Sequence, residues 1–315
     1  WYVERDGQIA TGMPSAGASS EFDLVCVDEA HHIYRDVELR RAVENRVGEA
    51  SRRVLLSDIS QSRGRDLPYP EGMAEVTLTE VVRCSKRIVQ AASTFQLGGE
   101  EAKLHTQCHH AATGPPVKSF LFELEDGASD EERFSAYTDK VGAALSHVTS
   151  SFDGLRLHNR VAILVPDAAF RDALKPRLVA AFAESSAGEQ RLRLMDAKEA
   201  SCMLLLHNTS MAVARHGQES DAGDAIVLDT LENFDGLERL IVIAVGLDAK
   251  LDADDAEDVL ETRSRMYRAL TRAHMLALVV NEGVRGGWLE WLNKVRLDKN
   301  AAFDREAELA RQNAD

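Results

Sequence analysis

Residues 22–33 read FDLVCVDEAHHI: a short, mostly apolar run, then two adjacent carboxylates, Asp28 and Glu29. An apolar run of that length reads as a buried strand of a parallel sheet. The two acids then emerge at its carboxyl end, where open α/β sheets bind their ligands. Phosphoryl-transfer chemistry uses one carboxylate in such a place to hold Mg²⁺ and a second to orient the attacking water. Taken alone, DEAH is equally a strand ending in two solvated acids. The rest of the chain has to supply the other parts of a nucleotide site.

Outward from this stretch, residues 36–49 are charged, with apolar positions at Val37, Leu39, Val43 and Val47, an amphipathic helix. RRVLLSDISQ (52–61) follows, with a short strand at Val54–Leu56 and then Asp58 and Gln61. Strand, helix, strand with polar groups at strand ends is a βαβ unit. Upstream, residues 1–21 close on TGMPSAGASS, a small-residue segment that reads as a loop leading into the strand at Phe22. Downstream, PYPEGM marks a boundary just before Val76. Residues 76–95 pass from a strand-like start into a helix with Ile88, Val89, Ala92 and Phe95 on its apolar face, and Arg83 stands where the period changes. Residues 98–116 have no period and read as a loop.

A second alternation starts at Val117. VKSFLFEL, RVAILVP (160–166), AIVLDT (225–230), LIVIAVGL (240–247) and HMLALVV (274–280) read as strands. Helices are expected over 130–149, 168–184, 256–272 and 287–296, with 185–223 ambiguous. The expected organisation is 1–75, 76–297 and a polar tail, 298–315.

The chain has 315 residues, 44% of them hydrophobic and 28% charged, enough for two α/β lobes with buried cores. No apolar run approaches the ~20 residues of a membrane helix, and the opening is polar, so an intracellular protein with no membrane partner is expected. Four scattered cysteines suit reduced thiols rather than a disulfide framework. A net charge of −15, from 37 basic against 52 acidic residues, argues against nucleic-acid binding through bulk charge and leaves room for a local basic groove.

Four more segments carry polar residues at strand ends: SDISQ (57–61), EVVRCSKRI (80–88), DTLENFDGLERLIVI (229–243) and SRMYRALTRAH (264–274). Together with motif II at Asp28-Glu29, they give the chain a resemblance to the superfamily 1 helicases, motor ATPases built of two RecA-like lobes. SDISQ resembles motif III, with Ser57 where the family has Gly. Arg83 falls at motif IV, Thr230…Gly236-Leu237-Glu238 follows motif V, and YRALTRA (267–273) follows motif VI. The resemblance implies an α/β fold of two RecA-like P-loop NTPase lobes with parallel sheets, the first lobe incomplete. It implies ATP and Mg²⁺ as cofactors and single-stranded DNA or RNA as partner. It further implies that Asp28 holds Mg²⁺ and Glu29 activates water. Gln61, Arg83 and Arg272 would face the γ-phosphate, Glu238 and Tyr267 would contact the nucleotide, and Thr230 would lie near nucleic acid. Each residue also has an ordinary reading, as a helix cap, a turn residue or a solvated acid.

The chain departs from the family in three places. It has no Gly-x-x-x-x-Gly-Lys-Ser/Thr to cradle the phosphates. A sequence opening on Trp1 with a short first lobe is therefore expected to be a fragment, inactive alone, whose P-loop and partner segment lie upstream in the same protein. No aromatic follows Gln61 until Tyr69, and Asp235 stands before Gly236 where the family often has Lys. FDGLERLIVIAV looks closer to the Schlafen-type helicase-like domains. The rival expectation is accordingly a Schlafen-like scaffold that binds RNA or protein with little ATP turnover. His31–His32 and His105…Cys108-His109-His110 invite a metal reading, but no second cluster at zinc-site spacing accompanies them.

Overall fold

The computed structural model describes residues 2–5, 8–11, 24–47, 52–58, 67–78, 80–95, 107–109, 112–125, 127–185, 192–206, 223–249, 256–284, 287 and 289. Gln61, His105, His110, most of the 287–296 segment and the 298–315 tail lie outside the described residues. The chain divides into two compact units, Trp1–Glu75 and Val76–Asp315.

In the first unit, β1 (Tyr2–Arg5) and β2 (Gln8–Thr11) pair antiparallel, a pair for which the sequence reading assigns no element. The parallel pair is β3 (Leu24–Val27) and β4 (Arg52–Leu55), with Cys26 opposite Val54. Two helices rather than one connect them: α1 (Ala30–Arg35) starts directly behind the carboxylates, and α2 (Val37–Val47) follows. Asp36 separates them and caps α2 by accepting the N–H groups of Glu38 and Leu39. A small core of Val27, Ala30, Tyr34 and Val43 joins helices to strands.

The second unit opens with β5 (Glu80–Val81), α3 (Lys86–Ser93) and β6 (Gln107–Cys108), then β7 (Lys118–Phe122) and α4 (Asp130–Ser151). It continues through β8 (Val161–Val165), α5 (Ala168–Ser185), β9 (Leu192–Met195), α6 (Ala197–Leu206) and β10 (Asp224–Thr230). The last elements are β11 (Arg239–Val245), α7 (Ala256–Thr271) and β12 (Ala273–Glu282). Six strands form one parallel sheet in the order β7-β12-β11-β8-β10-β9. Strand periodicity explains why both faces are covered. Ala162, Leu164, Val227, Val242, Ala244 and Val279 face α3, α6 and α7, while Val161, Ile163, Val165, Leu228, Ile243 and Val280 face α4 and α5.

Two departures from the sequence reading have clear causes. The ambiguous 185–223 stretch contains β9 and α6: β9 has only four residues, and the apolar residues of α6 bunch in one run, CMLLL (202–206), which shows no helical period. Residues 73–78 are irregular, and the strand-like start shrinks to two residues of β5, which pair with β6 inside the expected loop.

Candidate functional site

Asp28 and Glu29 stand at the carboxyl end of β3, as the apolar run predicts. The backbone does not pass smoothly into α1: Glu29 has φ 48°, ψ 42°, a left-handed conformation rare outside glycine. Asp28 accepts the Glu29 N–H (2.9 Å), which holds the turn. A side chain in strained backbone at a strand end is where function is commonly found.

Behind this turn, His31 is buried and its Nδ1 accepts the N–H of Asp58 (3.3 Å). That bond leaves the neutral ring's proton on Nε2, which lies 3.4 Å from a Glu29 carboxylate oxygen. His31 thus joins Glu29 to Asp58, three residues past the end of β4. Glu29, His31 and His32 also bring one potential ligand atom each within 4.8 Å of one another. Coordination through His31 Nε2 would need that proton removed, and the Asp58 bond opposes it. The helix behind the acids, α1, is held by Tyr34, which donates to Glu44 on α2 (2.5 Å), while Arg53 on β4 donates to the other Glu44 oxygen (2.5 Å). Burial and the Glu44 carboxylate push the Tyr34 phenol up to about 12, so it remains a neutral donor.

In the second unit, residues widely separated in sequence meet at the amino ends of β11 and β12. Because β10 and β11 both run parallel to β8, residues 231–238 must carry the chain back from one end of the sheet to the other. Leu231 and Phe234 anchor this turn in the core, and Gly236 at φ 79° redirects it into β11. The turn delivers Asp235 and Glu238 to the strand start. Asp235 pairs with Arg268, and its second oxygen lies 3.4 Å from Arg272. Glu238 pairs with Arg83, and His274 Nε2 is 3.1 Å from its other oxygen. Ser85 ties the Arg83 segment here, its N–H donating to the His274 carbonyl (3.0 Å). Arg239 packs over the Phe234 ring, 5.7 Å from its centroid, and burial pulls its guanidinium below the usual arginine range.

The structure therefore gathers Arg83, Glu238 and Arg272 into one cluster. Tyr267 lies one turn before Thr271 on α7, half-buried against the core. Thr230 is elsewhere: it ends β10, is buried, and its hydroxyl accepts the Asn233 N–H (3.1 Å). Its neighbour Asp229 is a hub at the carboxyl edge of the sheet that the sequence reading missed. Its carboxylate accepts the N–H groups of Ala197 (2.8 Å) and Thr230 (2.8 Å), the Asn233 amide (2.9 Å) and Arg171 (3.1 Å). Burial would raise this carboxyl, but those donors outweigh it and hold it below the usual aspartate range. The signal was a lone Asp inside the apolar run AIVLDT. Arg268 was also missed, because the motif leaves its position unspecified.

No family model matches the sequence, and no curated protein matches it. One solved structure it is similar to is the C-terminal domain of a possible DNA helicase from Lactobacillus plantarum WCFS1. The identity is 17%, over 64% of this chain and 88% of that one, with a TM-score of 0.37. The likeness concerns chain course alone and assigns no residue a role. Among the described residues, no helix is long and apolar enough to cross a membrane.

Proposed function

We propose that the chain carries motor parts of a superfamily 1 helicase-type ATPase acting on single-stranded nucleic acid. The observation that carries this reading is the convergence of Arg83, Glu238 and Arg272. Three segments singled out by one motif order, and separated by up to 189 residues (272 − 83), end within ion-pairing reach of one another or of adjacent residues. Chance matches to short motifs do not predict such a meeting.

The fit to the cofactors is uneven. Asp28 is exposed at its strand end and suits a metal held through water, and Glu29 is placed beside it to orient a nucleophile. A phosphate cradle is absent from the sequence, so no triphosphate contact is derived for the first unit. Bound Mg²⁺ supplies charge neutralisation of the phosphates. The roles left to this chain are clear. Glu29 takes or steers a water proton, with His31 holding its carboxylate. Arg83 and Arg272 supply fixed positive charge where negative charge redistributes. Glu238 offers an acceptor to a ribose hydroxyl.

A second reading, a Schlafen-like scaffold with little turnover, is favoured by one observation: both finger arginines already contact carboxylates. ATP hydrolysis by the full-length protein, measured with and without single-stranded DNA and RNA, separates the two. Under the first reading Glu29→Gln abolishes hydrolysis and spares ATP binding. Turnover unchanged in that variant removes Glu29 from the mechanism, and no turnover under any condition leaves the scaffold.

A further inference from the structure

Two of the four cysteines meet beside Arg83. Cys84 follows that arginine directly, in the turn between β5 and α3, and Cys108 ends β6, where it pairs with Val81. Cys108 Sγ donates to the Cys84 carbonyl oxygen at 3.2 Å. Within one residue that oxygen stands about 2.4 Å from Cα, so the Cys108 sulfur is at most about 5.6 Å from Cys84 Cα. Cys84 Sγ points elsewhere, to the Thr271 carbonyl (3.5 Å), a long contact that a single side-chain rotation gives up. A disulfide joins Cα atoms roughly 4.4–6.8 Å apart, a span that suits this approach of the Cys108 sulfur to the Cys84 backbone.

Backbone hydrogen bonds hold the two segments in place. His109 N–H donates to the Val81 carbonyl (2.9 Å), Ser85 N–H to that of His274 (3.0 Å), and Arg87 N–H to that of Thr113 (3.1 Å). The thiols differ in access. Cys84 is 1% exposed, and burial pushes its thiol up to about 12, which makes it a poor first nucleophile. Cys108 is only half-buried. With a reachable thiol beside one held out of solvent, the first reacts with an oxidant and the second resolves the product.

We propose that Cys84 and Cys108 are a redox pair, which a small disulfide such as oxidised glutathione converts to an intramolecular disulfide tying the Arg83 turn to β6. The Cys108 thiolate attacks one sulfur of the small disulfide, forming a mixed disulfide and expelling one thiolate. Cys84 then loses its proton and attacks Cys108 Sγ, breaking the mixed disulfide and expelling the second. Two protein thiols are oxidised, one small disulfide is reduced to two thiols, and the two protons released by the cysteines end on them. The crosslink fixes the residue after Arg83 and takes Cys84 Sγ from Thr271, the residue before Arg272. Both arginine-bearing segments therefore feel the same oxidation.

The test is peptide mapping of the full-length protein after incubation with oxidised glutathione, quenched with acid and alkylated under denaturing conditions. Wild type is expected to yield a linked peptide joining Cys84 to Cys108, two hydrogen atoms lighter than the reduced pair, which dithiothreitol removes. The exposed Cys26 and Cys202 should carry at most glutathione adducts. Cys108→Ser should leave Cys84 alkylatable, and Cys84→Ser should stop Cys108 at its glutathione adduct. Wild type that stops at that adduct, stays reduced, or links either cysteine to Cys26 or Cys202 instead overturns the proposal. So does glutathione on Cys84 in a folded Cys108→Ser. The wild-type map decides whether or not a variant folds. It is read without ATP turnover, so the pairing and the ATPase reading fail separately.

Discussion

Replacing Asp229 by Ala tests whether the carboxyl edge of the sheet is held by one buried acid. The carboxylate is 3% exposed and accepts four hydrogen bonds, two of them from the backbone N–H groups of Ala197 and Thr230. Deleting it leaves those donors unpaired and takes from Arg171 one of its two carboxylate partners. Breaking a buried, hydrogen-bonded charge pair costs roughly 3–5 kcal/mol, and each orphaned donor accounts for about 1–3 kcal/mol of that. For a unit of this size, about 2–4 °C in melting temperature per kcal/mol gives a fall of roughly 6–20 °C. Asp229→Asn should recover only part. Three donors converge on Oδ1 and fix the amide oxygen there, which turns the NH₂ group toward the Ala197 N–H. Because the folded carboxyl is held below the usual aspartate range, its stabilisation is present above the unfolded value, about pH 4. It is lost as pH falls through the lower folded value. The gap between wild type and Asp229→Asn, read by circular dichroism melts, should therefore be constant down to about pH 4 and close below it. An Ala variant within about 1 kcal/mol of wild type, or a gap that ignores acid, would refute the hub.

Arg272→Ala in an ATP-hydrolysing full-length protein should lower kcat by roughly 10³–10⁵, about 4–7 kcal/mol of transition-state stabilisation. Steady-state assays on a variant with unchanged melting temperature decide it, and a loss under about tenfold excludes a finger role. Gly246→Ala should destabilise by about 2–5 kcal/mol, because a side chain must adopt left-handed backbone and push into a packed ring. At φ 67° its Cβ would fall 2.6 Å from Phe170 Cζ, and that ring packs edge-on to Phe134 and Tyr137. An unchanged thermal midpoint would count against the packing described.

Legibility in the sequence followed burial. β8, β10 and β11 are covered on both faces, so they are continuous apolar runs, and α3 announced its inner face through Ile88, Val89 and Ala92, which are buried together with Phe95 in the turn that follows. α1 was invisible because its six residues, AHHIYR, are too short to show a period, and its buried members include His31 and Tyr34. β1 and β2 have no element assigned from sequence because a four-residue strand gives only two alternations. At the site, Asp28 and Glu29 could be placed from the run before them. The partners of Arg83 and Arg272 could not, because ion pairing across 155 residues (238 − 83) and 37 residues (272 − 235) depends on how the 231–238 turn folds back.

The two edges of the large sheet hold opposite kinds of polar cluster. At the carboxyl edge, where open α/β sheets usually bind ligands, Asp229 is saturated: one carboxylate, four donors, and a pKa direction that matches satisfaction. Such a site has little capacity left for a ligand, and its loss should be felt as stability. At the amino edge, Asp235 contacts Arg268 and Arg272, Glu238 contacts Arg83, nitrogen atoms of Arg239 and Arg268 are buried without acceptors among the described residues, and burial lowers the Arg239 guanidinium below its usual range. A fold under selection for stability alone would replace these arginines with apolar residues at little cost or some gain. The edge that the ligand rule favours is thus held by hydrogen bonds to one buried acid, and the opposite edge by ion pairs of the buried Arg268 and Arg272.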